Sequence, residues 1–391
     1  MPADIARPVA GPAAFRDMEK PDHVMSQAAT LLLIGTHLRG ETAATPPGVQ
    51  AALTVRTARR SGARAIPAAD LRQLGFPRLT PGAPRFRPDE LQRMAGVRFA
   101  GRAAVPSKGD VDTAAATMRR AANAFYRDAN HETAAALLEV ALRHPHELAR
   151  VAAAASYVPV ATDPRRALAI LERGVRSRDP LVRDVAATAL ARLEPRHVAL
   201  APLLASRRRR SRRPRSRTSL LVHGTFARTN AWWQPPTGDF WSYYHAQVDP
   251  NLYGAQDRFE WSGGYSDAAR SMAGNDLNTW VQAHTLNGLD VIAHSHGASV
   301  AMLANHAGTS IGRLILLSCP VHWPKYTPDF TRVTTGVTSI RVHLDLVILA
   351  DGGGQRFPDN RIKEIVLPIW FNHSATHDPA VWQQQNLPAR L

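Results

Sequence analysis

The sequence predicts a multidomain chain: an α-helical repeat region followed by an α/β domain with a mainly parallel sheet. Three observations predict it. Apolar residues recur at helical spacing from about 110 to 205, and short apolar strands alternate with helical stretches from 218 to 391. Between the two, an arginine run coincides with an abrupt change of composition. With 391 residues, 45% of them hydrophobic, the chain has material for two or three domains, and wholesale disorder is excluded. The expected division is 1–108, 109–206, 207–217 and 218–391.

Residues 1–108 are rich in Pro, Gly, Ala and Arg. Helical stretches are predicted near Ser26–Gly40 and Asp89–Ala95. Turn signals at Thr45-Pro46-Pro47-Gly48 and Thr80-Pro81-Gly82 interrupt them, so no compact fold is expected.

From 109 to 206 the helices carry punctuation. Asp179-Pro180 combines an N-cap with proline at the first helical position, and Val182, Val185, Ala186, Ala189, Leu190 and Leu193 then fall on one face. Asp163-Pro164 opens an earlier helix through Ala167, Leu168 and Leu171, closed by Gly174. Glu132–Leu142 and Glu147–Tyr157 form another pair, split at Pro145. The many alanines would let these helices approach closely. The distance from His131 to Pro164 is about one helical-pair repeat. The stretch from Asp179 to Leu190 resembles the second half of a HEAT repeat. That resemblance implies a partner-binding module that recruits or regulates; a plain helical bundle is the competing reading.

The run from Arg207 to Arg217 holds eight arginines. Like charges repel and nothing apolar is present to bury, so an extended linker is expected. The alternative is a contact with phosphate, on nucleic acid or an anionic membrane. No aromatic residue interleaves the arginines, which argues against base stacking. The whole net charge of +16 resides before Thr218, and all eight tryptophans follow the run. The single cysteine, Cys319, excludes an intrachain disulfide framework and a four-cysteine zinc site. No apolar run approaches the roughly 18–20 residues of a membrane span, and no signal peptide is recognised, so a cytoplasmic location is expected.

In 218–391 the predicted strands are Ser219–His223, Arg258–Trp261, Leu289–Ala293, Arg313–Ser318, Thr338–Leu344 and Glu364–Trp370. The third runs into Ala293-His294-Ser295-His296-Gly297 and then a helix over Ala298–Ala307, closed by Gly308. A serine at so tight a strand-to-helix turn is held in a strained conformation, at a cost of about 1–3 kcal/mol. The residues two positions either side must be small, and Ala293 and Gly297 are. Upstream, the first strand ends in Leu221-Val-His223-Gly224-Thr225-Phe226.

Together these motifs resemble the α/β-hydrolase superfamily, in particular small serine esterases and lipases, with alanine in the first position of G-x-S-x-G. The resemblance covers about Thr218 to Leu391 and leaves no room for a large inserted cap. It implies Ser295 as nucleophile and the Thr225 and His296 amides as oxyanion donors. The family's order then asks for an acid and a histidine downstream. Asp345 is the preferred acid with Asp351 as competitor, and His373 the preferred histidine with His377 as competitor. The implied activity is carboxylic ester hydrolysis through an acyl-enzyme, with lipids among the candidate substrates, and no cofactor. A catalytically inactive hydrolase fold that binds a partner is the competing reading. His294 and His296 are not expected to hold a metal, because their side chains diverge on a strand–turn and no carboxylate sits at ligand spacing. Gly352–Gly354 reads as a tight turn. The aromatic group Trp232, Trp233, Phe240, Trp241, Tyr243 and Tyr244 is expected either to wall an acyl pocket or to pack a local core.

Overall fold

The computed structural model describes residues 11–18, 21–41, 76, 77, 79, 108–161, 163–204, 218–286 and 288–391. The arginine run, the helix predicted at Asp89–Ala95 and both early turn signals lie outside them.

The first part is helical: α1 (Pro21–Glu41), α2 (Lys108–Arg127), α3 (His131–Ala141), α4 (Glu147–Tyr157), α5 (Arg165–Gly174), α6 (Pro180–Leu193) and a single turn, α7 (Ala201–Leu204). Local chemistry sets the boundaries. The Asn130 side chain accepts from the Glu132 and Thr133 amides in a capping box that opens α3. Asp179 Oδ1 accepts from the Leu181 and Val182 amides at 2.8 and 3.3 Å and opens α6.

One expectation is corrected. Part of 1–108 is a core element, because α1 buries Leu31, Leu32, Leu33, Ile34 and Leu38 among the other helices. This helix is apolar around much of its circumference, so it shows little amphipathic stripe to mark it from sequence. It packs on α4, far along the chain. A Cβ at Gly35 would fall 2.3 Å from Ser156 Oγ, so only glycine permits that approach.

The second part is a five-stranded, wholly parallel sheet in the order β1 (Ser219–Val222), β2 (Leu289–His294), β3 (Ile311–Leu317), β4 (Val333–Arg341) and β5 (Ile362–Val366). Both faces are covered, and the strands alternate between two apolar cores. Leu220, Val222, Val291, Ala293, Leu314 and Leu316 face a core completed by α9 (Asp267–Ala283) and α10 (Gly297–His306). Leu221, Ile292, Ile315 and Leu317 face the opposite core, with Trp233, Phe240, Tyr244 and Trp382 from around α8 (Asp239–Gln247) and α12 (Pro379–Gln384).

The strand predicted at Arg258–Trp261 is not one. Phe259 and Trp261 are buried, and Trp261 Nε1 donates to the His223 carbonyl at 2.8 Å. The apolar pattern there serves packing and not a ladder. β5 ends at Val366, short of the predicted Trp370, although the Leu367 amide still donates to Arg341 O at 2.8 Å and the His343 amide to Ile369 O at 2.9 Å.

Short α11 (Leu346–Asp351) joins β4 to β5 and is the meeting point of the two parts. Leu346, Val347, Leu349, Ala350 and Phe371 are buried in the same core as the helices of the first part. α6 packs on α11, and Arg192 reaches the Ala350 carbonyl at 3.5 Å. The helical part therefore sits at the carboxyl edge of the sheet, where ligand crevices of open α/β sheets form.

Candidate active site

Because all five strands run parallel, their carboxyl ends share one edge. His223-Gly224-Thr225 leaves β1 there, Ser295 follows β2, Ser318 follows β3, Asp345 lies beyond β4, and His373 beyond β5.

Ser295 sits between β2 and α10 with φ of 53°, the left-handed region that a serine adopts only under constraint. Its amide donates to Leu317 O at 2.8 Å, which ties the turn to β3. A Cβ on Gly297 would lie 2.5 Å from the His223 carbonyl oxygen, so the helix start nearly touches the end of β1. The small-residue demand at that position is thus a steric fact of this turn.

A cavity of about 110 Å³ lies over this edge. Ser295, Thr225, His296, His373, His377, His294 and Trp232 line it from the α/β part. The predicted residues are brought together from positions up to 148 apart in the chain, Thr225 to His373. Among the described residues, neither the Thr225 nor the His296 amide is spent on a protein acceptor. Both flank the serine at the N-terminal end of α10, where the helix dipole favours negative charge.

The two acid candidates and the two histidine candidates part company here. His373 Nδ1 lies 2.7 Å from Asp345 Oδ2. Asp345 Oδ1 caps α11 by accepting from the Val347 and Ile348 amides at 2.9 and 3.2 Å, so one oxygen fixes the carboxylate and the other meets the imidazole. Gln355 Oε1 accepts from the Asp345 amide at 2.9 Å. The His373 loop is held in turn by Ser318 Oγ, which donates to the His373 carbonyl at 3.0 Å. Among the described residues, His377 has no carboxylate in ion-pair range; its ring stacks on Trp232 with centroids 4.1 Å apart. Asp351 turns away from both, towards His296 and His322.

The charges follow the geometry. Burial pulls His373 down, but the Asp345 carboxylate, with Asp184 and Asp351 further off, outweighs it and raises the pKa above its ordinary value. Burial, followed by the neighbouring His373 charge, pushes His377 down to about 3. Burial lowers His294 well below the usual value and His296 to about 4. Of the imidazoles lining the cavity, His373 is the one that an adjacent carboxylate equips to accept a proton near neutral pH.

The aromatic group divides. Trp232 lines the cavity, whereas Trp233, Phe240, Trp241 and Tyr244 are buried in the core behind it.

Four residues that sequence reasoning missed come from α6: Pro180, Arg183, Asp184 and Thr188 complete the cavity wall. Among the described residues, α6 of the helical part closes this side of the cavity. Burial raises the Asp184 pKa, the approach of His373 partly opposing it. Arg183 Nε lies 3.8 Å from Asp184 Oδ1. The sequence singles out only the apolar face of this helix, and no linear signal distinguishes a polar face in water from one roofing a cavity. His322 and Tyr265, which surround Asp351, were likewise missed. A carboxylate that sequence spacing did not offer reaches His296 through the fold: Asp351 Oδ1 is 3.3 Å from His296 Nε2.

Fold and site define an α/β protein with a parallel sheet, a strained serine at the carboxyl edge, and a helical part closing over it. Compared with known proteins, the chain matches no family model and no curated protein at a significant level. Among the described residues, no helix is long and apolar enough to cross a membrane.

Proposed function

We propose that the chain is a serine hydrolase of the α/β-hydrolase type that cleaves carboxylic esters, with its helical part, HEAT-like in its punctuation, acting as a cap in cis. The observation that carries the reading is the convergence of Ser295 and the His373–Asp345 pair at one cavity. In this reading His373 takes the Ser295 proton as Oγ attacks the ester carbonyl. Asp345 holds the imidazole with Nδ1–H towards itself, leaves Nε2 as the base, and stabilises the imidazolium. The developing oxyanion is met by the Thr225 and His296 amides, each such donor being worth about 2.7–4 kcal/mol in the transition state. His373 then protonates the leaving alcohol, and water attacks the acyl-enzyme by the same route.

The cavity supports a short acyl group. Its 110 Å³ is well below the roughly 300–1,000 Å³ of pockets for drug-sized ligands.

The test is labelling of the full chain by a fluorophosphonate probe, followed by turnover of p-nitrophenyl esters of increasing acyl length. Labelling abolished by Ser295→Ala, with acetate or butyrate turned over faster than decanoate, is the expected result. Absence of labelling in a folded wild-type chain would overturn the hydrolase reading and leave a partner-binding fold.

A further inference from the structure

His296 faces two ways. Its backbone follows Ser295, while its side chain points to a buried group outside the proposed triad. His296 Nε2 lies 3.3 Å from Asp351 Oδ1, and His322 Nε2 lies 2.7 Å from Asp351 Oδ2. The two imidazole planes are within 10° of parallel. The three candidate donor atoms lie within 4.8 Å of one another, and all three residues are buried.

Distance alone would suggest simple hydrogen bonds, but the angles do not. His296 Nε2, His322 Nε2 and Asp351 Oδ2 are all buried atoms that make no hydrogen bond of acceptable geometry. Buried polar atoms are rarely left so, and three of them gathered around one point are satisfied together by a cation. The 3.3 Å between His296 Nε2 and Asp351 Oδ1 is the spacing of two ligands on a tetrahedral ion with bonds of about 2.0–2.1 Å, while the 2.7 Å His322–Asp351 pair and the 4.8 Å span of the group call for the side chains to adjust around the ion.

Outer contacts point the same way. His296 Nδ1 is 3.0 Å from Thr225 Oγ1. With Nδ1–H donating to that hydroxyl, Nε2 keeps its lone pair towards Asp351, the arrangement that orients ligating histidines. Tyr265 Oη donates to Asp351 Oδ1 at 2.5 Å, and its ring packs edge-on against His296. Arg270, also near, works against a loosely held cation. Its guanidinium is engaged by Asp267 at 2.5 Å and lies over the Tyr265 and Tyr326 rings. Two imidazoles and one carboxylate, beside a positive neighbour, disfavour hard cations that want only oxygen and favour the zinc class.

We propose that His296, His322 and Asp351 form a site for a zinc-class divalent ion. His296 and Asp351 also line the cavity that holds Ser295, so the site adjoins that cavity. Bound there, the ion anchors the residue whose amide adjoins the serine and adds positive charge to that wall. The binding itself does not depend on the hydrolase reading.

The experiment uses the tag-free full chain, stripped with a chelator and titrated with Co(II). The expected result is the visible absorption of tetrahedral Co(II), saturating at one ion per chain and lost when Zn(II) is added. His322→Ala and His322→Gln should both lose the bands, the second keeping the bulk and polarity of the site should the first fail to fold. Circular dichroism and thermal melting verify that the variant scored is folded. Ser295→Ala, outside the ligand set, should keep the bands, so a dead hydrolase and an empty metal site give different results. No saturable uptake of Co(II) or Zn(II) by wild type, or uptake undiminished in a folded His322 variant, would overturn the proposal.

Discussion

The helical part and the α/β part solve different problems with the same apolar vocabulary. In the helical part, neighbours in sequence are mostly neighbours in space. Asn130 caps α3 and Asp179 caps α6, each contact spanning two or three residues. In the α/β part the important neighbours are distant: Asp345 meets His373 across 28 residues, and Ser318 holds the His373 loop across 55. Order in the first is local and tolerant. Order in the second depends on five strands ending at one edge. Where the parts meet, α6 belongs to both, burying Val182, Val185 and Leu190 in the helical core while Arg183 and Asp184 line the cavity.

The largest effect that would sharpen this contrast is on the long-range side. Asp345→Asn should cut kcat by about 10⁴-fold, because an amide presents His373 in the wrong tautomer. Asparagine is itself a good N-cap, so the melting temperature should hardly move. A large loss of stability with little loss of kcat would mean that Asp345 is only a cap.

Next in size is a cavity in the helical core. Phe125 is fully buried, and Phe125→Ala should cost about 3–5 kcal/mol. Since Leu346, Leu349 and Phe371 share that core, the two parts should still melt in one transition, displaced to lower temperature. Two resolved transitions in calorimetry would show that the parts are independent.

A smaller effect links the parts through charge. In the proposed mechanism the neutral His373 is the base, so kcat/KM should fall as the pH drops through its pKa, which the surrounding carboxylates hold above the ordinary 6.5. Asp184 is one of them. Asp184→Asn removes a charge that raises that pKa, so the acid limb should move to lower pH. A limb that stays in place would separate α6 from the chemistry.

The smallest effect is purely local. Asp179→Ala removes the cap of α6 and should cost about 1 kcal/mol, read as a modest shift in denaturant midpoint at unchanged slope.

The legibility of the chain follows the same divide. The helix start at Asp179 was readable because a cap is a matter of residues two or three apart. The strand–serine–helix turn was readable because the steric demand on Gly297 is met within one turn. α1 was only half legible: its helical pattern shows, but a helix apolar on most sides gives no stripe to say what it packs against. Arg258–Trp261 misled for a related reason, since an apolar alternation reports burial and leaves the ladder unstated. For the acid and the histidine, the sequence offered two residues each. What separates them in the fold is the partner: Asp345 meets His373 at 2.7 Å, whereas Asp351 meets His296 and His322.

By itself, then, the sequence determined the helical punctuation, the mainly parallel α/β pattern and the strained serine, since each is enforced by chemistry within a few residues along the backbone. Only the tertiary structure decided that α6 roofs the cavity, that His373 and not His377 meets a carboxylate, and that Asp351 gathers His296 and His322. Those relations need strands and helices far apart in the chain to reach common points. Which of several similar polar residues arrives there depends on the packing of both parts, which no local pattern encodes.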